Sequence, residues 1–237
     1  MNGLKFSLMA VGMVAAGSVT ATAHAEVLNV NFGRSSDGPL FDGNADYTGQ
    51  GAYVDAGNDT WNNLLSGASA FPAGGPFTGL VYSDGSSATG VTVTLSGSGG
   101  SENRGTDPDT LELLYGFITA NGPSDSVTIS GLNATAYDVY VYSVKDNSTD
   151  AEFTVGGSSF TLTGDVADAF TEDENYHVFS AVVPTAGEIV IDWEETGSGG
   201  QFAQGPFNGF QLVAVPEPSS LALLGIGGLA MLQRRRH

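Results

Sequence analysis

The chain has 237 residues, a formal charge of −19, 34 glycines and no cysteine. Without cysteine there is no disulfide, thiol nucleophile, zinc–thiolate cluster or iron–sulfur centre, so stability falls to a hydrophobic core and any bound cation. The negative charge repels phosphate backbones and excludes nucleic acid as a partner, which would call for a basic patch.

At the N-terminus Lys5 precedes an apolar run from Phe6 to Val19, followed by small residues ending in Ala23-His24-Ala25. A positive start, a short apolar run and an A-x-A site predict a secretory signal peptide over residues 1–25. Ala23 and Ala25 are the positions read by signal peptidase, and Glu26 becomes the mature N-terminus. The run is too short and too rich in Ala and Gly to make a permanent span.

Residues 26–214 are expected to form one all-β domain. Lys5 and the terminal arginines leave with the two ends, so Arg34, Arg104 and Lys145 are the basic side chains of this body, and His177 is its only histidine. One histidine excludes a multi-histidine zinc site. Short alternating apolar runs between Gly, Ser, Thr, Asp and Asn clusters predict strands. In order, they fall at 27–32, 91–95, 111–118, 127–129, 137–142, 152–155, 159–162, 176–183, 188–193 and 207–213. Gly156-Gly157 and Ala186-Gly187 read as tight hairpin turns. A single helical turn is expected over 58–65, capped by Asn58 or Asp59, with an irregular loop as the alternative. About ten strands in about 190 residues predict two packed antiparallel sheets, a jelly-roll sandwich.

Three kinds of side chain in the body could carry chemistry. Trp61, in a polar loop, and Trp193, ending a strand, are the candidate ligand-binding residues, because a sugar's C–H face stacks on an aromatic ring. The alternative for each is a core or lid residue. Tyr47, Tyr53 and Tyr82 also lie near loops. Asp42-Gly43-Asn44-Ala45-Asp46 spaces oxygen ligands at alternate positions, so Asp42, Asn44 and Asp46 are the candidate metal ligands for a structural calcium; no closing Glu follows at EF-hand spacing. Asp192 and Glu194, two apart on a strand, share a face and are the only pair weighed for glycoside hydrolysis. No catalytic residue is assigned.

The C-terminus, residues 215–237, is a separate unit. Val215-Pro216-Glu217-Pro218-Ser219-Ser220 leads into an apolar stretch with an expected helix over 219–233, closed by Arg234, Arg235 and Arg236. The twelve residues from Leu221 to Leu232 reach about 18 Å as a helix, short of the roughly 30 Å hydrocarbon core. The arginines hold its end on the cytoplasmic side and leave the body outside. Pro216 and Pro218 keep the junction extended and open to a protease.

Pro216-Glu217-Pro218, a short hydrophobic helix and a terminal Arg cluster resemble the PEP-CTERM sorting signal of Gram-negative bacteria. The resemblance implies processing by an exosortase-type membrane protease. It also implies passing anchorage in the inner membrane, and a destination at the envelope surface or in an exopolysaccharide matrix. The body resembles galactose-binding-like and carbohydrate-binding-module-like sandwiches through Val30-Asn31-Phe32-Gly33, Gly131-Leu132, Tyr137-Asp138-Val139-Tyr140-Val141-Tyr142 and Asn208-Gly209-Phe210-Gln211-Leu212. That implies a non-catalytic module with extracellular polysaccharide as its partner. A purely structural acidic matrix protein and a glycoside hydrolase-like enzyme are the rival readings.

Overall fold

The computed structural model describes residues 25–32, 49–54, 60–64, 74–96, 101–103, 113, 116–120, 125–144, 150–163, 169–196 and 205–216. Within them the chain forms β1 (Val27–Asn31), β2 (Asn62–Asn63), β3 (Gly74–Phe77), β4 (Thr92–Ser96), β5 (Ser101–Asn103), β6 (Gly116–Thr119) and β7 (Asp125–Ser130). It continues with β8 (Tyr137–Tyr142), β9 (Ala151–Val155), β10 (Ser158–Leu162), β11 (Tyr176–Val182), β12 (Glu188–Glu195), β13 (Pro206–Phe207) and β14 (Gly209–Ala214). Two large sheets have the orders β11-β8-β14-β1-β2 and β10-β9-β12-β7-β4-β3, and a small one is β13-β6-β5. From β7 to β12 the chain crosses repeatedly between the two large sheets, as a jelly-roll sandwich requires. The pairings are antiparallel except β1 with β2, which is parallel.

The period-2 alternation of the sequence is what packs the two sheets. Leu28, Val30, Val139, Val141, Phe210 and Leu212 from the first sheet share one core with Val93, Val127, Ile129, Phe153, Ile191 and Trp193 from the second. Burying each such side chain is worth about 1.5–3 kcal/mol. Phe207 sits at the centre, its ring 5.1 Å from Phe32, 5.0 Å from Phe153 and 5.4 Å from Trp193.

Several expectations change. Residues 62–63, inside the expected helical turn, are strand β2, because the Asn62 side chain binds backbone across to Asn29 and Val81; the expected caps Asn58 and Asp59 lie outside the described residues. Of the expected strand at 111–118, residues 116–118 lie in β6, Leu113 lies outside any strand, and the other positions fall outside the described residues. β2, β3 and β5 went unforeseen, being short or rich in Gly and Pro; β3 tolerates Pro76 because it is a sheet edge. Gly156-Gly157 does join paired strands, Val155 opposite Ser158. The Ala186-Gly187 turn forms as well, both residues having positive φ, with Thr185 and Glu188 exchanging hydrogen bonds at 2.9 and 3.0 Å. Its flanking strands nevertheless part, β11 joining the first sheet and β12 the second. Pro184 lacks the N–H that would carry the ladder further.

Candidate functional site

The two faces of the first sheet differ in kind. Its inner face is the core. On the outer face, register sets Asn29, Gln211 and Tyr140 in one cross-strand row, and Asn31, Gly209, Tyr142 and Tyr176 in the next. Over the β1–β14 half lie segments 49–54 and 60–64, tied down by buried amides. The Gln211 amide nitrogen donates to Asn29 Oδ1 at 2.9 Å and to the Tyr53 carbonyl at 3.1 Å, and its oxygen accepts from the Tyr53 N–H at 3.0 Å and from the Tyr142 hydroxyl. The Ala52 N–H donates to the Tyr142 hydroxyl at 2.8 Å. Gly51 is required here, since a Cβ would overlap the Gln211 side chain.

This covering layer decides the fate of the expected sugar platforms. Trp61 is 4 % exposed, packed with Tyr142, Leu113 and Val144, and its indole N–H donates to the Gly49 carbonyl at 2.9 Å. Trp193 is 1 % exposed and points into the main core. Neither ring offers a face to a ligand. The strand parity that sends Asp192 and Glu194 outward sends Trp193 inward, and Trp61 finds apolar cover and an acceptor beneath its loop.

Beside that cover, the same face carries a different aromatic strip. Tyr140 and Tyr176 lie with centroids 6.2 Å apart and planes 22° from parallel, and Tyr53 joins Tyr140 at 5.8 Å. All three rings are partly exposed. Phe170 backs the strip, 6.4 Å from Tyr176 and 5.3 Å from Tyr142. Asp138 lies on the same face of β8, and Glu172 and Asp173 precede Tyr176. Burial, then Asp138 and its neighbours, pushes the Tyr140 phenol up; burial, then Glu172 and Asp173, does the same at Tyr176. Both hydroxyls therefore stay protonated well above neutral pH, able to donate as well as accept. The sequence reading took Tyr140 only as strand; the alternation of Asp138, Tyr140 and Tyr142 on one face was the available signal.

Asp192 and Glu194 do share a face, the outer one of the second sheet. They stand beside each other in a field of hydroxyls that includes Ser126, Thr128 and Thr154, not on opposite walls of a cleft. His177 stacks on Phe160 at 3.8 Å and 3°, with Nδ1 2.7 Å from Asp173 Oδ1, pinning edge strand β11 to edge strand β10. Among the described residues no group of three or more His, Asp or Glu side chains is placed to hold a metal. Asp42, Asn44 and Asp46 lie outside the described residues, as do Ala23, Glu217, Pro218, Arg234, Arg235, Arg236, Tyr47 and the expected helix over 219–233. Ala25 and Pro216 are described at the two margins of the sandwich.

Pro216 is exposed just past the last strand, where the chain leaves the sandwich. Residues 214–236 match the PEP-CTERM protein-sorting motif. No curated protein matches the chain. Similar solved structures include the CBM36-1 domain of a multidomain xylanase from the hindgut metagenome of Trinervitermes trinervoides, at 14% identity and TM-score 0.32, covering 53% of this chain and 99% of that one. TmCBM61 in complex with β-1,4-galactotriose is similar at 12% identity and TM-score 0.26, covering 54% of this chain and 79% of that one. An exo-β-1,3-galactanase from Phanerochaete chrysosporium is similar at 15% identity and TM-score 0.31, covering 51% of this chain and 27% of that one. Likenesses this low carry no argument about function, and the fold rests on sheet order and the shared core. The PEP-CTERM match makes this an exported chain, sorted through the membrane.

Proposed function

We propose that the protein is a non-catalytic glycan-binding sandwich delivered to the cell surface or extracellular matrix by its PEP-CTERM tail. The sugar contact is the Tyr53–Tyr140–Tyr176 strip. That strip is the observation carrying the proposal: partly exposed rings on a rigid sheet face, with Asp138 and Glu172 nearby to accept hydrogen bonds from sugar hydroxyls. An exosortase-type enzyme removes or exchanges the tail, and the polymer bound is extracellular polysaccharide.

A glycan array on the processed protein tests this, run with and without calcium because Asp42, Asn44 and Asp46 are the proposed calcium ligands. Saturable binding that Tyr140→Ala and Tyr176→Ala weaken is the expected result. A featureless array would leave an acidic matrix protein, and release of reducing ends from a bound glycan would replace the module by an enzyme.

A further inference from the structure

The sorting motif begins where the folded body ends. Ala214 lies opposite Tyr137 of β8, its N–H donating to the Glu26 carbonyl at 2.9 Å, and the Val215 N–H donates to the Ala136 carbonyl at 3.0 Å. Val215 is thus held by the sandwich, and Pro216-Glu217-Pro218 follows at once. An extended chain gains at most about 3.6 Å per residue, so the motif stays within roughly 11 Å of the folded surface. An enzyme whose cleft grips those three residues touches the end of the sandwich from which they leave.

That end carries two exposed valines, Val183 and Val190. Tyr137 is flanked by Ala214 on β14 and by Val182 on β11. With strands about 4.8 Å apart, Val182 and Ala214 are about 10 Å apart. Val183 and Val215 each follow one residue beyond the ends of these strands. Val183 is 69 % exposed and Val190 is 39 % exposed, both lining one trough of about 440 Å³ with Gly156, Thr185, Glu188 and Asp192. The patch is held rigidly. The Ala181 N–H donates to Asp138 Oδ1 at 2.8 Å on one side of Val183, and the hydrogen-bonded turn from Thr185 to Glu188 lies on the other.

We propose that this end of the sandwich, Val183 with the trough running to Val190, is a docking surface for the membrane enzyme that reads the sorting motif. The proposal rests on the sorting reading of the tail. The enzyme face that fits is apolar opposite the two valines and basic opposite Glu188 and Asp192. The body then helps to set the rate at which its own tail is processed.

The test follows tail removal from the full-length chain, by its size shift, in cells that process the wild type. Val183→Asn with Val190→Asn alters two exposed positions and is expected to leave Tm unchanged. It should slow processing about tenfold, equivalent to roughly 1.4 kcal/mol of lost transition-state contact. With a flexible spacer of about ten Gly and Ser residues between Val215 and Pro216, the cleft no longer needs to meet the body, and the same pair should have no effect. Wild-type processing of the unspaced variant, or equal slowing with the spacer, overturns the docking surface. Replacing Pro216, Glu217 and Pro218 by Ala separates the premises: unchanged tail removal then would remove the sorting reading and the docking surface together. Flotation of the processed protein with phosphatidylethanolamine–phosphatidylglycerol vesicles, lost in the valine variant, would assign the patch to lipid and overturn a protein partner.

Discussion

Tyr140 matters because an inward-outward alternation leaves it on the outer face of the first sheet, which is partly open. Truncating it to Ala removes a stacking surface and is expected to weaken glycan binding by about two- to tenfold, since a ring contact is worth about 0.5–1.5 kcal/mol beyond its buried area. Isothermal titration with the best array ligand measures this. Trp193 has the opposite profile. Its indole nitrogen is buried with no hydrogen-bond partner. Trp193→Ala should cost about 3–5 kcal/mol of stability, and Trp193→Phe much less, because the aromatic fill stays and the unsatisfied N–H goes. Trp193→Phe should leave glycan affinity untouched, as chemical denaturation and titration together would register. Tyr82 reports pH. Burial, then Glu26, which accepts its hydroxyl hydrogen bond, pushes its pKa up to about 12. Folded chains hold that proton where unfolded chains, titrating near 10, release it, so the contribution is intact below about pH 10 and is lost as pH rises towards 12. Urea midpoints across that interval should fall less steeply for Tyr82→Phe than for wild type.

Among the elements, β14 is buried on both faces, as is its neighbour β1. Its inner residues build the core, while Gln211 on the other side holds the 49–54 segment beside the tyrosine strip. Gln211→Leu leaves the Asn29 side-chain oxygen and the Tyr53 backbone N–H and carbonyl unsatisfied at about 1–3 kcal/mol each. It is therefore expected to lower Tm and, by releasing Tyr53, to weaken glycan binding; Tm and affinity measured on one preparation would link the two. Turns set the connections between sheets. At Gly131, φ is +80° and a Cβ would overlap the Gly90 carbonyl oxygen. Gly131→Ala should thus destabilise by about 1–3 kcal/mol through strain alone, without altering the glycan-binding face. Most strands were legible because alternation is a local signal. β2 was not, since its pairing depends on Asn62 reaching Asn29 and Val81, far away in sequence. The turn at Ala186-Gly187 was legible too, but the parting of its strands was not, because sheet membership is chosen by partners distant along the chain.

For the whole molecule, the outer face of the second sheet presents hydroxyls and carboxylates such as Thr128, Thr154, Glu188 and Asp192, and the chain as a whole is strongly acidic. Such a surface stays hydrated. Calcium at Asp42, Asn44 and Asp46 would relieve self-repulsion, so chelation is expected to lower Tm; an unmoved melting curve would remove that proposal. The two margins of the body meet, Glu26 beside Ala214, so both lie at one end of the sandwich. Tyr176, opposite Tyr142, stands at the other end of the same strands, roughly 17 Å from Tyr137 at 3.4 Å per residue. The sequence by itself determined the β class, most strand positions, the acidic surface and the sorting tail, because each is written in neighbouring residues: alternation, composition, or a contiguous motif. Only the tertiary structure decided which aromatic rings are buried. Trp61 and Trp193 go under cover and Tyr140 and Tyr176 remain partly open, since exposure depends on which distant segment lies on top.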